Sequence, residues 1–329
     1  MKKLFALQAA VLVSALALQA APPIRVMILD GESGGPYHNW QAITPALKLQ
    51  LEQTGLFQVD VVTAPPAGGD YSTFKPDFNK YQAIVFNYDA PDERWPDSLK
   101  ASFEEYMKNG GGLVIVHAAD NAFPNWQAFN EMIGIGGWRG RNEKSGPLWY
   151  FKDGKLVSDN SPGNAGVHGA RLPFRVTVQD PNHPITRGLP KVFMHQGDEL
   201  YAKMRGPGKN MTVLATAYSD PANRGTGNEE PALMVLTYGK GRIFHSIFGH
   251  DVYGLASVDA VVTFQRGTEW AATGKVTQKV PSDFPTERTV SYRTDIAALD
   301  PNYSKGLNPL DTPAGGRRPQ APKPAAQGR

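Results

Sequence analysis

The chain of 329 residues contains no cysteine. No lipid anchor can therefore sit on a cysteine, and no disulfide staples the fold. There is also no thiol nucleophile and no thiolate ligand, so any metal site must be built from His, Asp and Glu. Long apolar runs are almost as scarce. The single long one, residues 4–18, follows Lys2 and Lys3 and precedes the small residues Ala20 and Ala21 and the pair Pro22-Pro23. That order and size predict a secretory signal over residues 1–21, too short and too poorly flanked for a membrane anchor. The MKK start and short apolar stretch read as bacterial, so the expected location is periplasmic or secreted, without membrane insertion. Charge of one sign is lacking too. The formal net charge is +3, but Lys2 and Lys3 leave with the signal, and five basic residues sit beyond residue 300 against the single acid Asp311. The segment between the ends is net acidic, which argues against a nucleic-acid partner.

Residues 24–274 form one domain-sized block without a linker or internal repeat, followed by an extension over 275–301. The tail 302–329 is rich in Pro, Gly, Ala and Arg and carries too few apolar residues to repay its ordering entropy, so it is expected to be disordered. In the first half, apolar strand runs at 25–30, 59–63, 83–87 and 112–116 alternate with helical patterns. One helix begins at Asn39, or at Thr44 with Pro45 in its first turn, and stops near Gly55. The other spans 96–109, with Leu99, Phe103, Tyr106 and Met107 on one face and Gly110 at its end. This alternation predicts an α/β fold with a mostly parallel sheet and helices on both faces. The second half predicts strands at 174–178, 213–217, 232–237 and 242–248, and a helix over 257–272. Two long loops, 123–171 and 217–230, read as binding loops or lids.

Ligands bind such sheets beyond the carboxyl ends of the strands. The stretch after the first strand contains GESGG, a match to the G-x-S-x-G pattern with Ser33 at its centre. A nucleophile elbow needs an earlier strand for its oxyanion loop, and none precedes this one. A ligand-facing loop is the favoured reading, with His38 as its chemically useful residue. Of seven histidines, none pairs at the i, i+4 spacing of a helical zinc motif. Three nevertheless follow strands: His38, His117 and His250. With one carboxylate they would suit a divalent transition metal such as Zn, Mn, Ni or Fe. The carboxylates Asp198 and Glu199 in HQGDELY are the first candidates for proton transfer or ligation, ahead of Asp120 and Asp251. His168, in the long loop, is within plausible reach of the site. His183 reads as structural in its Pro-bounded turn, and His245 as either buried or exposed. Trp40, Trp138 and Arg139 are candidate substrate contacts, since loop tryptophans stack on sugar rings as readily as they pack.

Several segments together, YHNW at 37–40, GGGLVIVHAAD at 110–120, DPNHPITRGLP at 180–190, DELY at 198–201 and YGKGRIFHSIFGHD at 238–251, resemble the ThuA-like (trehalose utilisation) family. The resemblance extends from Arg25 to about Trp270. It implies a flavodoxin-like fold similar to class I glutamine amidotransferases, and a site at His38, His117, Glu199 and His250, with His168 less secure. Those amidotransferases carry a cysteine at a strand-to-helix elbow. Here the matching strand leads into His117 and the chain has no cysteine, so glutaminase chemistry is excluded. The expected function is that of an exported carbohydrate-active protein. As an enzyme it would be a lyase, isomerase or hydrolase acting on a disaccharide or keto-sugar derivative, with His117, Glu199 and Asp198 in catalysis and His117, His250 and His38 on a metal. Non-catalytic glycan binding or a scaffold role is the alternative.

Overall fold

A computed structural model describes residues 22–33 and 38–300; the predicted signal segment and the basic tail lie outside these residues. The first half folds as its pattern predicts. β1 (Ile24–Asp30), β2 (Phe57–Thr63), β3 (Ala83–Phe86) and β4 (Gly112–Ile115) alternate with α1 (Trp40–Glu52) and α2 (Asp97–Lys108). α1 starts directly after Asn39, so the earlier of the two predicted starts holds, and Pro45 lies inside the helix. β1, β3 and β4 are buried from end to end or nearly so, as strands covered on both faces must be.

Next come α3 (Gln127–Ile133), β5 (Leu148–Lys152) and β6 (Lys155–Asp159). These elements occupy the segment expected to be one long loop. The β5–β6 hairpin turns on Asp153-Gly154, both at positive φ, a dipeptide that is itself a strong hairpin signal. The remaining elements are β7 (Leu172–Val178), β8 (Val192–Asp198), β9 (Thr212–Tyr218), β10 (Glu229–Tyr238), β11 (Gly241–Ser246), α4 (Val252–Ala256), α5 (Val258–Thr273) and α6 (Thr294–Ala297). β8 was not foreseen either, because His195, Gln196 and Asp198 interrupt any apolar strand pattern; all three are buried.

The main path of the sheet runs β2-β1-β3-β4-β11-β10-β9-β7-β8. Its first five strands are parallel, and the rest continue antiparallel. Asp198 nevertheless brings β8, at the far end of this path, against the loop after β11. The extension after residue 274 packs on the same body. Its backbone pairs with Met194, Ala256 and Val258, and Ile296 and Ala297 are fully buried. Among the described residues, no helix is long and apolar enough to cross a membrane.

α5 meets β11 at a helical glycine. A Cβ on Gly267 would lie 2.1 Å from the ring of Phe244, a fully buried residue of β11. In an exposed helix, Gly→Ala gains about 1 kcal/mol. Here the ring has no room to yield, and Gly267→Ala is expected to lose about 1–3 kcal/mol through overpacking. Urea denaturation of the two proteins checks this, and a stabilised variant would refute the packing argument.

Candidate metal centre

Three parallel strands deliver one imidazole each. His38 ends the loop after β1, His117 follows β4, and His250 follows β11. The carboxylate of Glu199 arrives from the end of β8. Together the four offer ligand atoms that all lie within 4.8 Å of one another. The three ring centroids form a triangle with sides of 4.9, 5.0 and 5.4 Å. In a four-coordinate site with bonds of about 2.1 Å, ligand atoms stand about 3.4 Å apart. His38 Nε2 and His117 Nε2 are 3.2 Å apart, and His250 Nδ1 is 3.0 Å from Glu199 Oε2.

Hydrogen bonding settles where the lone pairs point. His117 Nδ1 donates to the Ile247 carbonyl at 2.9 Å, which leaves Nε2 unprotonated and facing the centre. His250 Nδ1 is buried and has no hydrogen-bond partner among the described residues. Its contact with Glu199 is close but not aligned as a hydrogen bond, so the two atoms converge on common space rather than on each other. A buried, unsatisfied nitrogen costs about 1–3 kcal/mol unless something fills that space.

The electrostatics favour the neutral form of His38 and His117. Burial, then the neighbouring His117 and His250, pushes His38 down to about 3. Burial and His250 likewise lower His117. Burial alone would raise Glu199, but the adjacent His250, His117 and His168 outweigh it and hold the carboxyl below its usual range. His168 Nδ1 lies 3.5 Å from Glu199 Oε1 and is partly exposed.

Asp198 does not fit the proton-transfer role expected of it. It is 1% exposed, and both of its oxygens are occupied. Oδ1 accepts from the backbone N–H groups of Glu199 and His250 at 2.8 and 3.1 Å. Oδ2 accepts from Gly249 N–H at 2.7 Å and His195 Nε2 at 3.1 Å. Its role is to position Glu199 and His250. Behind it, His195 Nδ1 donates to Asp259 Oδ2 at 2.7 Å, Ser257 Oγ donates to Asp259, and Phe248 stacks on the His195 ring. Burial would lower His195, but the Asp259 charge and the bonds to both carboxylates hold this imidazolium up to about 9.

The other predicted residues are distributed as follows. Trp138 lies 4.3 Å from the Tyr201 ring and 6.0 Å from His168, at the mouth of the cluster. It and Arg139 both adopt positive φ, a strained pair of the kind that collects at ligand sites. Gly166 packs so closely under the Trp138 ring that a Cβ there would lie 2.7 Å from it. Arg139 is tied to Asp89 at 2.7 Å rather than left free for a substrate. Trp40 opens α1, two residues beyond His38. Ser33 Oγ donates to the His38 carbonyl, which is a turn contact and leaves the nucleophile reading without support. Asp251 caps α4 and pairs with Arg171. His245 is fully buried, with Asp120 3.6 Å away, and His183 packs on Trp270.

Two features were not singled out from the sequence. One is the His195–Asp259 support. The other is Tyr201, whose ring stacks on His117 at 3.9 Å and whose hydroxyl lies 3.4 Å from His38 Nε2. Burial, Asp120 and Glu199 raise its phenol well above the ordinary value. Tyr201 stands in the same DELY stretch as Glu199, and that adjacency was the available signal.

The fold and this edge cluster define a mixed α/β protein with a histidine-rich site at the carboxyl edge of its parallel strands. The family described as "ThuA: Trehalose utilisation" matches residues 25–271. A crystal structure of a ThuA-like protein from Parabacteroides merdae ATCC 43184 is 47% identical, with a TM-score of 0.80, covering 84% of this chain and 99% of that one. A ThuA-like protein from Bacteroides uniformis ATCC 8492 is 19% identical, with a TM-score of 0.54, covering 79% and 95%. No curated protein matches. The chain belongs to the ThuA family.

The His195 clamp generates a pH prediction. A group raised from about 6.5 to about 9 stabilises the fold fully below the lower value and loses that contribution as pH rises through the upper one. Glu230, raised to about 7, titrates below this window. Unfolding free energy should fall by about 2 kcal/mol between pH 7.5 and 9.5, and His195→Gln should flatten that slope. Denaturant melts across the range measure it; a flat wild-type profile would contradict the clamp.

Proposed function

We propose that this protein is an exported enzyme that holds a divalent transition metal on His38, His117 and His250 and acts on a disaccharide or keto-sugar derivative. The observation that carries the reading is the convergence of three imidazoles, two of them shifted toward the neutral form, beside Glu199. An ion of this class, when bound, supplies Lewis acidity toward a carbonyl or hydroxyl oxygen.

The chain's own residues do the rest. Nδ1 of His117 is fixed by the Ile247 carbonyl and holds its ring in one tautomer. Asp198 sets the backbone from which Glu199 and His250 project. Glu199 is the proton-moving carboxylate, and His168, partly exposed on its Oε1 side, is placed to exchange that proton with solvent. A keto group acidifies the neighbouring C–H, so a single base suffices for elimination or isomerisation. Trp138, partly exposed, offers a ring face for a sugar. The first 21 residues support export.

Simple glycan binding is the competing reading, favoured by the same ring face. Elemental analysis and activity on a keto-disaccharide separate the two. Wild type should carry near-stoichiometric metal, and the His117→Ala/His250→Ala double variant should carry none. Glu199→Gln should keep the metal and lose about 100-fold or more in turnover. Sugar binding that survives metal removal, with no turnover in any protein, would instead favour the binding module.

A further inference from the structure

We propose that Tyr201 is the hydrogen-bond donor to an oxygen of whatever ligand is held at the histidine cluster. The inference rests on the metal reading of this site and adds a residue and a direction to it.

Tyr201 is 2% exposed and sits inside the site rather than on its rim. Its ring is clamped between His117, at a centroid distance of 3.9 Å, and Trp138, at 4.3 Å. Trp138 is in turn held by the close approach of Gly166. The hydroxyl has little freedom as a result. Asn121 Nδ2 donates to the phenol oxygen at 3.4 Å, so that oxygen is already serving as an acceptor. The other hydrogen-bond neighbour of the hydroxyl among the described residues is His38 Nε2, also at 3.4 Å, a nitrogen that lies 3.2 Å from the unprotonated His117 Nε2 as well.

With a cation on the cluster, the His38 Nε2 lone pair would be committed to it and could not accept a hydrogen bond. The Tyr201 proton would then have no acceptor among the described residues and would be free for a ligand oxygen. The other nearby polar groups do not compete for the role. Asp198 is saturated, Arg139 is spent on Asp89, and Glu199 is a carboxylate. The expected ligand therefore binds through an oxygen able to accept a hydrogen bond, such as a carbonyl, hydroxamate or alkoxide-like oxygen. A purely aliphatic amine would gain nothing from Tyr201.

The test uses the full chain loaded with Co²⁺, whose visible absorption reports both uptake and ligand exchange. Acetohydroxamate is the probe. Tyr201→Phe should take up Co²⁺ with an affinity within about threefold of wild type, because the phenol is not a ligand. It should bind acetohydroxamate about tenfold or more weakly, the size of one lost hydrogen bond to a charged or strongly polarised group. Imidazole titrated in place of acetohydroxamate should bind both proteins equally. A merely structural role for Tyr201 would weaken Co²⁺ uptake or all probes together, and that result would overturn the proposal. So would equal acetohydroxamate affinity in the two Co²⁺-loaded proteins. If wild type itself took up no Co²⁺, the metal reading would fall, and this inference with it.

Discussion

One buried carboxylate ties this molecule together. Asp198 ends β8, a strand at the far end of the sheet path, and it binds the backbone of Gly249 and His250 in the loop after β11. Two parts of the chain that the sheet order separates are joined at that point. Asp198 could not be buried there alone, because an isolated carboxylate in a dry interior would take up a proton. Three backbone N–H groups and an imidazolium keep it charged. The imidazolium, His195, depends in turn on Asp259 at the start of α5. Such networks contribute modest net stability against a well-packed apolar alternative, yet removing one partner typically costs about 3–5 kcal/mol. Their value here is geometric, since Glu199 and His250 both hang from the backbone that Asp198 holds.

The fit around Asp198 leaves no slack. α4 crosses it at Gly254, where a Cβ would lie 2.5 Å from Oδ2. Asp251 caps the same short helix through Tyr253 and Gly254, so the segment 249–254 is fixed at both ends. The C-terminal extension adds a further brace, pairing Arg293 with Ala256 and Ser291 with Val258 on the outer side of that segment. His250 is thus positioned from below by a carboxylate, ahead by a capped helix and behind by β11.

Much of this was legible in the sequence, for physical reasons that differ by region. The parallel half was readable because covered strands are continuous apolar runs, as in β1 and β4, and amphipathic helices such as α2 repeat on a 3.6-residue period. The strand-end rule then singled out His38, His117 and His250, and the structure brings all three together. β8 was not readable, because its inward side chains are His195, Gln196 and Asp198, whose burial is made possible by partners 50 or more residues away. No local pattern encodes a partner. The same blindness made Asp198 a candidate for proton transfer and hid Tyr201, whose importance lies in what it packs against. The β5–β6 hairpin is a different kind of omission: its Asp153-Gly154 turn was present in the sequence, inside a segment taken as one loop.

The charge balance of the cluster bears on what it holds. Imidazoles gathered around a carboxylate could serve as a proton store, and then burial would be offset and the rings would charge readily. The opposite holds at His38 and His117, both shifted toward the neutral form by burial and by one another. His117 has also committed its only proton outward to a backbone carbonyl. The remaining ring nitrogens converge inward, with His250 Nδ1 without an aligned hydrogen-bond partner among them. Glu199 brings a carboxylate to the same space. A site that gathers ring nitrogens and a carboxylate, with two of its imidazoles shifted toward the neutral form, suits a compact cation with several coordination positions. A hydrogen-bonding sugar could satisfy one or two of these atoms, but an ion can satisfy them together, and this is the physical reason for placing metal ahead of simple glycan binding.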